Sequence, residues 1–389
     1  MTLRAWTPAC AVVLGLILIL SLGACRPASS PTETVDLQAA AEQALATLYA
    51  QMTATAQVTP PATDTPDPTP TVPRTPPALP GPYQSPYLNP LDTPHTYIQD
   101  TCEYLRLKWD SNNSPPGTVV MVIMFHSISK GAASQSYQIS AADQRRLMND
   151  LKEMGFEAIN MQQLADFLEH NAKIPPRSVL LVVDDRHHAE YFNDHFRPFY
   201  EQWGWPVVNA YIAKDERPDL WAENAALAAE GWVDYQAHGV IHNVPITSAS
   251  SEEYMRSELQ GAYDAIREHY GKAPIAYIWP GGGFTPRAAQ IAREVGYHLG
   301  FTVNPRGPLM FNWIPLADEA DPARPSYLPE GPVNDPLMVL PRYWDMDARA
   351  HLDQVRLIGK EAAAYAEQNK AIELEYYDIV CAPTYGPIP

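Results

Sequence analysis

The sequence predicts an α/β fold, specifically an irregular (β/α) barrel of about seven strands. Short apolar runs alternate with longer amphipathic segments through most of the chain, as expected for parallel strands joined by helices. The runs are apolar at nearly every position, which is typical of strands buried on both faces. The globular part holds about 290 residues, a size that α/β barrels reach as one domain. An open doubly wound sheet fits about seven strands less well, although periodicity alone does not close a barrel.

Each predicted strand is a short apolar run followed by polar residues or glycine. The strands are predicted at 118–128, 156–160, 178–185, 206–213, 233–239, 275–283 and 297–303. The helices, whose apolar residues recur every three or four positions, are predicted at 141–155, 161–172, 189–204, 221–231, 251–271, 285–296 and 347–369. Because parallel strands end at the same edge of a sheet, the residues at those ends are candidates for a functional site.

The N-terminus has the pattern of a secretory signal. Arg4 precedes an apolar run that is too short for a comfortable membrane span. The run ends in "LGAC" at residues 22–25, which is similar to a bacterial lipobox, where the signal is cut before the cysteine and the thiol receives lipid. We therefore expect residues 1–24 to be a signal peptide and Cys25 to anchor an extracytoplasmic lipoprotein to a membrane. A plain signal anchor with an unrelated cysteine is the alternative.

Two segments connect this anchor to the globular part. Residues 25–57 carry apolar side chains at helical spacing, which predicts a short helix near 37–52. Residues 58–96 are dominated by proline and threonine, a composition that gives an extended, semi-rigid linker. We expect this linker to hold the domain at 97–389 away from the membrane surface.

Charge and cysteine content constrain the partners. The formal net charge is -18 at pH 7, which argues against a nucleic-acid partner, since phosphate binding needs a basic surface. We expect a monomer that binds no nucleic acid. Besides Cys10 and Cys25, the chain has only Cys102 and Cys381, one at each end of the domain. In an oxidising exterior this pair predicts a disulfide, with two separate buried thiols as the alternative.

The ends of the predicted strands carry groups suited to a metal ion. His126 lies at the end of the first strand, and Asp184 and Asp185 end the third. His238 and His242 lie at the end of the fifth strand in a His-x-x-x-His spacing, which together with a carboxylate forms a ligand set for zinc. Two adjacent ionised carboxylates repel each other unless a cation lies nearby. The pattern therefore predicts one divalent metal ion, most simply zinc, bound by one Asp while the other takes a proton from bound water.

An ordered set of motifs carries a resemblance to a known family. The motifs stand in the sequence in the order "MVIMFHSI", "LMNDLKEMGFEAINMQQLADFL", "IPPRSVLLVVDD", "QAHGVIHN", "AYIWPGGG", "GYHLGFTV" and "LPRYW". From about residue 119 to residue 344, the chain resembles the polysaccharide deacetylases of the NodB homology group, carbohydrate esterase family four. The resemblance implies a NodB-like barrel and the hydrolysis of N-acetyl groups on an extracellular or cell-envelope polysaccharide.

The resemblance also implies a role for each matching residue. Asp184 matches the general base, and Asp185, His238 and His242 match the metal ligands. A backbone N–H near Gly281 would stabilise the tetrahedral oxyanion together with the metal. The expected protein is a polysaccharide deacetylase with one divalent metal ion and an N-acetylated polysaccharide as its substrate.

The sequence departs from the family pattern at several positions. Arg186 replaces the glycine that usually follows the two aspartates, and Gly281 replaces an aromatic residue. No residue clearly matches the late histidine that protonates the leaving amine, and His351 is a candidate by position only. The residues expected at the rim of the site are His126, Arg186, His187, Trp279, Pro280 and Arg342.

The sequence leaves two other functions open. A glycan-binding lipoprotein that kept the fold without turnover would explain both Arg186 and the missing proton donor. A hydrolase of acetyl esters or cyclic amides would use the same metal ligands.

Overall fold

The computed structural model describes residues 37–56 and 74–389, apart from 215–216 and 242–243. The chain divides into two units, one ending at Val72 and the other beginning at Pro73. The described part of the first unit is helix α1 (Leu37–Ala56). None of the described helices is both long enough and apolar enough to cross a membrane. The signal peptide, Cys25 and the first part of the predicted linker lie outside the described residues.

The second unit is built on a parallel sheet. Its strands are β1 (Asp92–His95), β2 (Val119–Phe125), β3 (Ser127–Ser129), β4 (Gln138–Ser140), β5 (Glu157–Ala158), β6 (Arg177–Asp184), β7 (Val207–Tyr211), β8 (Val233–Ala237), β9 (Ala276–Ile278), β10 (Leu299–Phe301), β11 (Ile314–Ala317) and β12 (Tyr343–Trp344). Seven of them hydrogen-bond in the order β10-β9-β8-β7-β6-β2-β12, and each pair is parallel. Strand β5 pairs with the first half of β6.

The sheet curls towards a barrel. An isolated parallel bridge joins Phe301 of β10 to Leu340, which lies shortly before β12. Strand β10 is at one end of the strand order and β12 is at the other. The short segment from Leu340 to β12 therefore brings the two ends of the sheet together. The predicted fold class, an irregular α/β barrel of about seven strands, is confirmed.

Helices cover the outside of the sheet. They are α2 (Thr101–Trp109), α3 (Ala141–Glu153), α4 (Met161–His170), α5 (Ala189–His195), α6 (Arg197–Trp203), α7 (Pro218–Ala229), α8 (Glu252–Tyr270), α9 (Pro286–Val295), α10 (Asp345–Tyr376) and α11 (Ala382–Tyr385). The core lies between these helices and the strands, and every residue of β2 is buried. The single helix predicted at 189–204 is divided into α5 and α6, because Pro198 cannot donate a helical hydrogen bond to the turn before it.

The segment at 302–342, to which the sequence assigned no element after Val303, fills the space between β10 and β12. Its strand β11 pairs antiparallel with β1. The buried Arg306 guanidinium donates to Asp92 on β1 at 2.9 Å and to Glu330 at 3.1 Å. These charges fix an irregular segment to the barrel through hydrogen bonds that residue spacing does not predict.

The end of the predicted linker packs on the same unit. The hydroxyl groups of Tyr83 and Tyr87 donate to the carboxylate of Glu361 on α10. The Tyr365 hydroxyl donates to the carbonyl of Gly81 at 2.9 Å. Residues 74–96, which the sequence assigned to the linker, therefore lie against the domain, and they include β1.

The predicted disulfide is confirmed. Cys102 on α2 is bonded to Cys381, which ends a short π-helix (Tyr377–Cys381) after α10. The bond joins positions 279 residues apart. It thereby fixes the C-terminal segment to the helix that opens the domain.

We expect the double variant Cys102→Ser, Cys381→Ser to lower the free energy of unfolding by about 2–4 kcal/mol, because a crosslink restricts the unfolded chain. Urea denaturation of the full-length protein followed by circular dichroism measures the change. The same loss is expected when the native protein is reduced. A double variant as stable as the oxidised protein would contradict this role.

Candidate active site

Polar side chains meet at one edge of the sheet, at the carboxyl ends of β2, β6 and β8 and at the start of β12. Asp184 ends β6, His126 directly follows β2, and Arg342 directly precedes β12. His238 directly follows β8, and Asp185 directly follows Asp184. The structure thus brings five of the predicted site residues to one edge of the sheet.

The centre of this edge is a buried ion pair. Both side chains are at most 2 % exposed. Arg342 donates from Nη1 to Asp184 Oδ1 at 2.6 Å and from Nη2 to Oδ2 at 3.0 Å. Its Nε donates to the Thr302 carbonyl at 2.8 Å. The His126 Nε2 atom lies 3.6 Å from Asp184 Oδ2. Asp184 is therefore held from two sides by nitrogen groups.

Electrostatics keep Asp184 ionised. Burial acts to raise the pKa of this carboxyl, but the positive charge of Arg342 and the imidazoles of His238 and His126 outweigh it, so that the pKa lies well below its ordinary value. Asp184 is then a carboxylate throughout the neutral range. It accepts hydrogen bonds there and binds a proton weakly.

The chain turns sharply after Asp184. Asp185 has a φ of 74°, a left-handed conformation that is uncommon outside glycine. The buried Asn209 side chain on β7 donates to the carbonyls of Val183 and Asp185, both at 2.9 Å. The His187 Nε2 atom lies 3.0 Å from the Asp184 carbonyl. These bonds hold the turn that directs the Asp184 and Asp185 side chains to different partners.

His238 has the orientation that is typical of a metal-binding histidine. Its buried Nδ1 lies 2.8 Å from the Ile278 carbonyl, an acceptor that fixes the proton on Nδ1. The Nε2 atom then carries a lone pair, and it lies 3.8 Å from Asp185 Oδ1. A histidine that binds a metal through one ring nitrogen usually donates a hydrogen bond from the other, often to a backbone carbonyl. His238 and Asp185 therefore fit a metal ion.

His242, the third predicted ligand, lies outside the described residues. Within the parts of the chain that the structure describes, no group of three histidine, cysteine, aspartate or glutamate side chains forms a metal site.

The turn after His238 rests on a residue that sequence reasoning missed. Glu258 on α8 is 2 % exposed. Its carboxylate accepts from the Val240 N–H at 2.8 Å and from the Ile241 N–H at 2.9 and 3.2 Å. Gly239 has a φ of 74°, and a Cβ there would lie 2.8 Å from Glu258 Oε2. The signal in the sequence was an acidic residue on the apolar face of an amphipathic helix.

His126 packs against an aromatic ring at the end of β2. Its ring stacks on Trp344 with centroids 5.1 Å apart, and its side chain is 18 % exposed. His126 Nδ1, Tyr191 Oη and Asp345 Oδ2 are buried and have no hydrogen-bond partner among the described residues. Burial raises the pKa of Asp345 to about 7. The Nδ1 atom of His351, the candidate by position, lies 2.7 Å from Gln354 Oε1 on α10.

The glycine turn after β9 lies beside His238. Pro280–Gly282 form one 3-10 turn, in which Gly281 has a φ of 58°. The N–H groups of Gly282 and Gly283 donate to the Trp279 and Pro280 carbonyls. Neither of these two bonds uses the N–H of Gly281. Pro280 is buried and lies against Gly239.

Trp279 differs from the prediction. Its side chain is fully buried, and its indole N–H donates to the Met338 carbonyl at 2.8 Å. The segment at 302–342 covers this ring, so that it packs in the core and presents no surface to a sugar.

The residues after Asp185 form the outer part of the site. Arg186 is half-buried, and its Nη1 donates to the Lys214 carbonyl at 2.9 Å. The His187 ring stacks on Tyr191 at 4.0 Å, and burial lowers its pKa. His188 is exposed and pairs with Glu223.

Comparison with known proteins gives a family match over part of the chain. The family model described as polysaccharide deacetylase matches residues 171–300. This segment contains Asp184, Asp185 and His238, and it runs from the end of α4 to β10. Residues 171–300 therefore match the family to which the sequence motifs showed a resemblance. No curated protein matches the sequence.

Several solved structures are similar at low sequence identity. The Streptococcus pyogenes deacetylase PplD in complex with acetate is 18% identical, covers 61% of this chain and 98% of its own, and has a TM-score of 0.48. IcaB from Ammonifex degensii is 17% identical, with coverages of 62% and 97% and a TM-score of 0.46. A polysaccharide deacetylase from Bacillus cereus is 17% identical, with coverages of 61% and 69% and a TM-score of 0.46.

Replacing Arg342 with methionine would leave Asp184 charged and buried without its partner. Breaking a buried ion pair from one side costs about 3–5 kcal/mol, and we expect the free energy of unfolding to fall by that amount in urea denaturation. Asp184→Asn in the Arg342→Met background should recover part of the loss, because the unpaired charge is gone. Additive losses in the double variant would contradict the coupling.

Glu258→Ala would remove the acceptor of the Val240 and Ile241 N–H groups. We expect the free energy of unfolding to fall by about 1–3 kcal/mol, and amide hydrogen exchange at these residues to become faster. Glu253→Ala is the matched control, because Glu253 lies on the exposed face of the same helix. Equal exchange rates in both variants would show that Glu258 does not hold this turn.

Proposed function

We propose that the chain is a metal-dependent hydrolase that removes N-acetyl groups from an extracellular or cell-envelope polysaccharide. The observation that carries the proposal is the buried Asp184–Arg342 pair beside His126. Asp185 and His238 lie at the same strand edge. A proton acceptor, an imidazole and metal ligands are the groups that metal-assisted amide hydrolysis uses. The family match supports an acetamide on a sugar as the bond that is cut.

Asp185 and His238, completed by His242, would hold one divalent ion. A carboxylate and two neutral imidazoles suit zinc and leave a coordination position for water. When bound, the ion polarises the acetamide carbonyl and makes its water more acidic.

Asp184 would act as the proton acceptor. Its carboxylate is ionised and fixed by Arg342, so that it is ready to accept a hydrogen bond from the attacking water. Because the pKa of Asp184 is lowered, a proton taken by this group is held weakly. Such a proton would pass readily to a stronger base nearby.

His126 would be that base, and then the proton donor to the leaving amine. Its Nε2 lies 3.6 Å from Asp184 Oδ2, and its side chain is accessible from the open end of the strands. An imidazole can accept a proton at one ring nitrogen and later donate it to a leaving group. Protonation of the amine lets acetate and the free amino sugar separate. This role fills the position for which the sequence showed no clear candidate.

Gly281 would supply the remaining stabilisation. Its N–H follows Pro280 in the turn next to His238. A backbone donor at this place would hydrogen-bond to the oxygen on which negative charge develops in the tetrahedral intermediate. The acetyl carbonyl would then lie between this turn and the Asp185–His238 pair.

The proposed location is outside the cytoplasm. The lipobox-like pattern at residues 22–25 supports a lipid anchor on Cys25, and the proline-rich segment supports a spacer between the membrane and the domain. The disulfide between Cys102 and Cys381 suits an oxidising compartment. A polysaccharide of the cell envelope or its surroundings is then within reach of the site.

Metal analysis tests the proposed ligands without a substrate. Full-length protein purified without chelator should contain about one zinc ion per chain by elemental analysis, and Asp185→Ala and His242→Ala should each lose it. His298→Ala is the matched control, because His298 is exposed and pairs with Glu169. No metal in the native protein after zinc is added would favour the glycan-binding alternative over the enzyme.

Acetate release tests the proton donor. His126→Gln should lower kcat on an N-acetylglucosamine tetramer by about 10²–10⁴-fold, while metal content stays at that of the native protein. His351→Ala should leave kcat within about twofold, since His351 hydrogen-bonds on α10. The opposite result, with kcat sensitive to His351 alone, would transfer the proton-donor role to that residue. The same assay on acetyl esters tests the esterase alternative.

A further inference from the structure

Arg186 is a fixed cation beside the proposed metal ligands. It follows Asp185 directly in the chain, at the carboxyl end of β6. The bond from its Nη1 to the Lys214 carbonyl connects it to the segment that follows β7. A guanidinium has five N–H donors, and the Lys214 carbonyl accepts from Nη1 alone.

The carboxylates of Asp184 and Glu223 have other partners. Asp184 accepts from Arg342, and Glu223 binds His188 and the Ala189 N–H. Among the described residues, no carboxylate lies within ion-pair distance of Arg186. Its charge at the rim is therefore not neutralised by an acidic side chain of the described chain.

We propose that Arg186 binds an anionic group, a carboxylate or a phosphate, on the sugar next to the one that carries the acetamide. This inference rests on the proposed deacetylase function and names its substrate class, an N-acetylated glycan with negative charge. Guanidinium groups bind carboxylate and phosphate through two parallel hydrogen bonds, which adds orientation to affinity. A glycine at this position has no side chain and offers none of these donors.

The net charge of -18 does not oppose this role at physiological salt. The Debye length is about 8 Å at 0.15 M ionic strength, so that charges distributed over the rest of the surface are largely screened at the site. The nearest charge then decides which glycan binds. At low salt the distant acidic groups act over a longer range and oppose the same substrate.

The test compares three glycans of equal length. The neutral probe is an N-acetylglucosamine tetramer, the carboxylate probe is a tetrasaccharide of alternating N-acetylglucosamine and glucuronate, and the phosphate probe is the neutral tetramer with one 6-phosphate. Acetate release gives kcat and KM, and calorimetric titration gives Kd independently of turnover. The full-length proteins are the native form, Arg186→Gln and Arg186→Lys. Arg106→Gln is the control, because it removes one exposed positive charge from α2.

We expect the native protein and Arg106→Gln to bind at least one anionic probe about tenfold more tightly than the neutral probe. Arg186→Gln should abolish this difference, and Arg186→Lys should retain part of it, since lysine keeps the charge without the fork. The probe with the lower Kd identifies carboxylate or phosphate as the natural group.

Equal affinity of the native protein for all three probes, or a preference that survives Arg186→Gln, would overturn the inference. Absence of acetate release from every probe would overturn the proposed deacetylase function instead. In that case the calorimetric comparison still tests the role of Arg186. Failure of the native protein to bind any of the three probes would contradict that role.

Discussion

The buried ion pair between Arg342 and Asp184 is the constraint on which the site depends. It joins the end of β6 to the segment that enters β12, and the Arg342 Nε also holds the Thr302 carbonyl after β10. One guanidinium therefore connects three parts of the barrel that are far apart in the chain. Removing two charges from water is costly, and only close, bidentate geometry compensates for it. The 2.6 and 3.0 Å bonds meet that requirement.

The same pair explains why two carboxylates can stand side by side at a strand end. Asp184 points to Arg342, while the left-handed turn at Asp185 directs the second carboxylate towards His238. Backbone strain of this kind costs about 1–3 kcal/mol, and the two bonds from Asn209 offset it. The adjacent acids thus acquire different environments, one a buried, paired carboxylate and the other a partly exposed ligand candidate.

The fold and the strand-end residues could be predicted because their signals are local. Apolar runs mark the strands, and the polar groups that end them meet at one edge whatever connects them. Glu258 could not be assigned a role in this way, because its partners lie on another element and only the fold brings them together. The buried position of Trp279 depends on the segment at 302–342, which has no periodic pattern. Contacts between distant, irregular segments are the part that a single sequence conceals.

Catalysis and recognition place opposite demands on the charges at this edge. Asp184 works only if a cation keeps it ionised, and Arg342 meets that demand from inside the barrel, where no substrate reaches it. Arg186, one residue beyond Asp185, is half-buried and donates to the Lys214 carbonyl. The buried cation therefore sets the protonation of the site, and the outer cation is left to interact with what enters it. In the proposed function, this division of two arginines by depth would link the chemistry of the acetamide to the choice of glycan.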